Sequence, residues 1–222
     1  FFKKHYKVIT FDNRGVGKSD KPAGLYTTRM MADDTISLMN FLNIKKAYIL
    51  GISMGGMIAQ ELTINYPERV DRLVLACTFS CKEGDSGDTP EQVHTLSLSP
   101  QRMASAMIDL AMNKKVNRII FGFVLKLQNR FLNASDRRGL EGQVAACNNH
   151  NTIDRLPSIQ APTLVIVGTE DYIIKPSSSS VISGKIPHAR LVKVKGGSHT
   201  FCLESKKVFN NEILNFLGSP DI

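Results

Sequence analysis

Gly51-Ile52-Ser53-Met54-Gly55-Gly56 follows an apolar run, Lys46-Ala47-Tyr48-Ile49-Leu50, and leads into a segment of helical character that Pro67 stops. Strand, sharp turn and helix around G-x-S-x-G form a setting in which a serine can be raised above a sheet as a nucleophile. So tight a turn strains the backbone at Ser53, and the spacing predicts that Gly51 and Gly55 leave room for it. The same geometry aims the Met54 N–H, at the start of the helix, at a negative charge developing on a bound carbonyl oxygen.

The surrounding chain repeats the strand-helix alternation. Lys7–Phe11, Lys46–Leu50, Arg72–Ala76, Thr163–Val167 and Arg190–Val194 are short, β-branched runs that read as strands, most of them apolar enough to be covered on both faces. Ala32, Ile36 and Met39 recur at helical spacing within about 27–42, and further helices are expected over Met54–Tyr66 and Ser205–Leu217. The pattern predicts an α/β fold, a mostly parallel sheet flanked by helices. No strand pattern occurs between Lys82 and Ile159, a stretch too long for a loop, so a helical insertion is expected there. The chain therefore divides into a first core part (1–81), a helical cap (82–159) and a second core part (160–222).

A serine needs a base and an orienting acid. The strand ending at Val167 is followed by Gly168-Thr169-Glu170-Asp171, and the strand ending at Val194 by Gly196-Gly197-Ser198-His199. Both groups lie past the carboxyl ends of strands, on the sheet edge where Ser53 stands. His199 is the candidate base and Asp171 the acid, with the adjacent Glu170 as the weaker contender. His5, His94, His150 and His188 are read as surface or turn residues.

Composition excludes several other classes. The net charge of +8 comes from scattered lysines and arginines without interleaved aromatics, which argues against nucleic acid as a partner. No uncharged run reaches the ~20 apolar residues of a membrane span. Cys77, Cys81, Cys147 and Cys202 show no metal-ligand spacing and read as reduced thiols of a cytoplasmic protein. Asn133-Ala134-Ser135 matches a glycosylation sequon by its three letters alone. Gly15-Val16-Gly17-Lys18-Ser19 ends like a phosphate-binding P-loop, but Asp12 stands where that loop needs its first glycine, so a turn is expected instead.

FDNRGVGKSDKP, ILGISMGGMIAQELTINYPERVDRLVLACT, APTLVIVGTEDYII and GGSHTFCLE together resemble the α/β-hydrolase superfamily over nearly the whole chain, with wording similar to carboxylesterase, proline-iminopeptidase-like and 3-oxoadipate enol-lactonase-like members. The resemblance implies the α/β-hydrolase fold, a helical cap over 82–159, a Ser53-His199-Asp171 triad, an acyl-serine intermediate and a small ester or lactone substrate. It implies neither cofactor nor metal, and it is compatible with a homo-oligomer. The family normally begins with further strands and a His-Gly loop that supplies a second oxyanion donor; this chain opens near the end of the first helix, so an N-terminally truncated fold lacking one central strand is expected. Serine at the elbow separates it from the haloalkane dehalogenases and epoxide hydrolases, which use aspartate there. Alternatives are a C–C bond hydrolase of ring-cleavage products, although this chain has no Trp, a cofactor-free perhydrolase, and a binding protein that keeps the fold without turnover.

Overall fold

The computed structural model describes residues 1–81 and 134–218. Within them four strands, β1 (Ala47–Ile52), β2 (Val70–Ala76), β3 (Thr163–Gly168) and β4 (Ala189–Val194), form one parallel sheet in the order β1-β2-β3-β4. Sequence order and spatial order coincide, although residues 77–162 intervene between the neighbours β2 and β3. Much of the expected cap, 82–133, and with it His94 and Asn133, lies outside the described residues.

Successive residues of a strand point to opposite faces, and β2 shows the consequence. Leu73 and Leu75 enter one core with Val165 of β3; Val74 and Ala76 enter another with Leu164 and Ile166. The first core is closed by α1 (Thr28–Phe41), through Met31, Ala32, Ile36 and Met39, and by α2 (Met54–Asn65), through Ile58, Ala59 and Leu62. α3 (Ala134–Asn148) adds Ala146, and α4 (Pro176–Lys185) adds Ile182. The second core is closed by the short α5 (Phe201–Glu204), through Phe201, and by α6 (Lys206–Leu217), whose Phe209, Ile213 and Phe216 recur on one stripe. α1 starts where Thr27, in extended conformation, accepts the Met30 N–H at 3.1 Å through its side-chain oxygen.

Lys7–Phe11 is not a strand. It pairs with no described neighbour, and Val8, Ile9 and Phe11 are exposed. β-branched composition favours extended backbone, but a strand exists only where a ladder satisfies its N–H and C=O groups. Among the described residues β1 correspondingly forms the sheet edge. Leu50 lies opposite Val74 in register, yet Tyr48, Leu50 and Ile52 remain exposed on the face that α6 covers farther along the sheet.

The Gly15–Ser19 stretch is a closed turn. Gly17 has φ 57°, the Lys18 N–H donates to Asp12 Oδ2 at 2.9 Å, and an added Cβ on Gly17 would meet that carboxylate oxygen at 2.1 Å. The Asp12 carboxylate thus occupies the place a phosphate would need.

α4 was not expected from its serine-rich composition. His150 also departs from the surface reading: it is buried, with Nδ1 2.9 Å from Thr28 Oγ1 and Nε2 3.3 Å from Thr152 Oγ1. Thr152 Oγ1 in turn donates to Gln60 Oε1 at 2.6 Å, and Arg155 forms a two-pronged ion pair with the buried Glu61 at 2.6 and 2.9 Å. This polar seam fastens residues 150–155 to α2.

Candidate active site

Ser53 is set by the junction of β1 and α2. Its N–H donates to Ala76 O at 2.9 Å, which holds it to the end of β2, while its own carbonyl accepts the Gly56 N–H at 2.8 Å and begins the helix. The connection requires φ 54° and ψ −123° at Ser53, a region ordinary residues avoid. The room comes from Gly51, where a Cβ would lie 2.3 Å from Gly55 O, and from Gly56, where it would lie 2.6 Å from Thr78 Cβ. At Gly55 an added Cβ meets nothing within 4 Å among the described residues, so the crowding expected there is not found with them. Met54 opens α2, with the helix N-terminal amides beside Ser53.

His199 sits in the loop between β4 and α5. Two neighbours anchor that loop: the Glu170 N–H donates to Gly197 O at 2.8 Å, and buried Ser198 donates through its hydroxyl to Glu204 Oε2 at 2.5 Å. Asp171, buried past the end of β3, accepts the Ile173 and Ile174 N–H groups on Oδ1, each at 2.9 Å. Its Oδ2 lies 2.8 Å from His199 Nδ1, and His199 Nε2 lies 3.2 Å from Ser53 Oγ. A carboxylate only accepts, so Nδ1 carries the proton and Nε2 is left to accept from the serine hydroxyl. Glu170 is exposed and is not the residue facing the imidazole. His5 and His188 are exposed and outside this group.

Cys77, Ser198 and Glu204 were not singled out by sequence reasoning. Position is the signal that could have found Cys77, since it is the first residue past β2 on the same sheet edge as Ser53 and Asp171. Among the described residues, Cys77, Asp171 and His199 are the group whose donor atoms lie close enough, within 4.8 Å of one another, to hold a metal ion. Burial pushes the Cys77 thiol well above its ordinary range, and the negative charge of Asp171 adds to this, so the thiolate a metal would need is disfavoured. Within this group Asp171 Oδ2 and His199 Nδ1 are hydrogen-bonded, with the Cys77 thiol close by.

A parallel sheet with helices on both faces, a strained serine at a strand-helix elbow and an acid-imidazole pair on the same edge define a hydrolase-type α/β architecture. The profile described as alpha/beta hydrolase fold matches residues 1–120, and the chain belongs to that family. The 3-oxoadipate enol-lactonase 2 of Acinetobacter baylyi is 26% identical, over 96% of this chain and 79% of the relative. The protein BpoC of Mycobacterium tuberculosis H37Rv, whose name is that of a non-heme bromoperoxidase, is 29% identical over 99% of this chain and 86% of its own. Among solved structures, the enol-lactonase from Burkholderia xenovorans LB400 superposes with a TM-score of 0.83 at 26% identity, covering 98% of this chain and 83% of that one. Family and relatives make this protein an enzyme of the hydrolase class. No helix among the described residues is long and apolar enough to cross a membrane.

Proposed function

We propose that this protein is a serine hydrolase that cleaves a small carboxylic ester or lactone through an acyl-Ser53 intermediate. The observation that carries the reading is the continuous line Ser53 Oγ to His199 Nε2 at 3.2 Å and His199 Nδ1 to Asp171 Oδ2 at 2.8 Å. Ser53 Oγ attacks the carbonyl carbon while its proton passes to His199 Nε2. Asp171 keeps its charge throughout, holding the imidazole in the productive tautomer and stabilising the imidazolium. The oxyanion accepts from the Met54 N–H, a donor whose loss in such sites costs about 10²–10³ in kcat. Collapse returns the His199 proton to the leaving alkoxide, and water repeats the sequence on the acyl-enzyme to release the acid.

The lactonase relatives support a substrate that is a small ester or lactone. The adjacency of β2 and β3 across residues 77–162 supports a cap, 82–159, inserted between two core parts, 1–81 and 160–222. Free cysteines at 77, 81, 147 and 202 support a reducing compartment, the cytoplasm.

Labelling with a fluorophosphonate, combined with turnover of short-chain aryl esters and simple lactones, tests the reading. Wild-type labelling that disappears in Ser53→Ala is expected. A folded wild-type protein that neither labels nor turns over would overturn it in favour of a binding role.

A further inference from the structure

Cys77 occupies an expensive position. It is fully buried at φ 48°, in the left-handed region that a residue with a Cβ rarely adopts. Its N–H donates to Ile166 O at 3.1 Å, and the carbonyl of the preceding residue, Ala76, accepts from Ser53 N–H. Cys77 is therefore clamped between the strand that borders the nucleophile and the strand that leads to Asp171. One side of it belongs to the apolar core of Val74, Leu164, Ile166 and Phe201. Its Sγ lies within 4.8 Å of an Asp171 carboxylate oxygen and a His199 ring nitrogen.

The acceptor capacity of Asp171 shows what the thiol does there. A carboxylate has about four lone-pair sites. Oδ1 uses two for the Ile173 and Ile174 N–H groups, and Oδ2 uses one for His199 Nδ1. Among the described residues one site remains, on a residue that is only 2% exposed. We propose that Cys77 is a positioning residue: its S–H donates to Asp171, fills that remaining site and keeps the carboxylate plane aligned with the His199 Nδ1–H. The inference rests on the triad reading above. The upward displacement of the thiol by burial and by the Asp171 charge agrees with a group that stays protonated and donates.

Cys77→Ala removes the donor at little change in volume, and Cys77→Ser restores a donor. With an ester that the wild type hydrolyses, Cys77→Ala is expected to lower kcat about three- to tenfold, the equivalent of one weak hydrogen bond, with KM unchanged. The acid limb of its kcat/KM profile should move to higher pH, because a carboxylate with one donor fewer holds the imidazolium more tightly. Cys77→Ser should restore both. The downfield proton resonance of His199 Nδ1–H provides a readout that needs no turnover: it should shift in Cys77→Ala and return in Cys77→Ser. An unchanged resonance and acid limb in a folded Cys77→Ala protein, or a Cys77→Ser as impaired as Cys77→Ala, would overturn the proposal. Loss of the hydrolase reading is separable, since it would appear as an unlabelled wild type in which the resonance still responds to Cys77.

Discussion

Acidification should weaken this fold through His150. Burial, opposed by nearby Glu61 and reinforced by Arg155, pushes the imidazole down to about 4 from an ordinary 6.5. Its hydrogen-bond partners are neutral hydroxyls: Thr28 Oγ1 at Nδ1 and Thr152 Oγ1 at Nε2. The unfolded chain therefore binds a proton at a pH where the folded one does not, and stability falls with pH in that window. The contribution is intact above pH ~6.5, diminishes as pH falls through the window, and is lost completely below pH ~4. The full displacement corresponds to about 3 kcal/mol, of which about 2 kcal/mol is already lost at pH 5. Carboxylates titrate in the same range, so the difference between wild type and His150→Gln isolates the histidine. Urea unfolding of both proteins between about pH 7.5 and pH 5 is the assay. His150→Gln should be the less stable protein at the upper end, with the gap narrowing by about 2 kcal/mol at the lower end. A gap that stays constant with pH would refute the reasoning.

Asp171→Asn should leave the fold in place and lower kcat by about 10³–10⁴ with little effect on KM, because the amide imposes the wrong imidazole tautomer; steady-state kinetics checks this. Gly51→Ala should cost about 2–4 kcal/mol in urea unfolding, since its Cβ would strike backbone at Gly55. Gly55→Ala, with open space around its Cβ, should be neutral or stabilising by up to about 1 kcal/mol, the usual helix preference. Magnesium ATP or GTP should leave the melting temperature unchanged, because Asp12 fills the Gly15–Ser19 turn; a rise with nucleotide concentration would contradict that.

Much of this architecture can be read locally. β2 and β3 are legible because both faces are buried, and α1 and α6 because their apolar residues share one stripe. Ser53, Asp171 and His199 stand out by the spacing of glycines and by lying just past strand ends. What escaped depends on partners distant in the chain. Lys7–Phe11 has the composition of a strand but no ladder to join. α4 buries Ser178 and Ser179 along with Ile182, so no apolar stripe announces it. His150 is buried by contacts to Thr28 and by the Thr152–Gln60 link, which no window around residue 150 contains. Gly55 illustrates a subtler miss: the motif includes it, yet the crowding falls on Gly51 and Gly56.

Among the described residues β1 leaves one flank of the sheet open, which bears on behaviour at high concentration. Ala47–Ile52 contains neither a charged residue nor a proline, two of the devices by which sheets commonly discourage strand addition. With Tyr48, Leu50 and Ile52 exposed and no strand among the described residues paired along its outer side, that flank is a template for an extended apolar peptide. Self-association in concentrated solution is therefore expected to begin at this margin of the sheet rather than in either buried core.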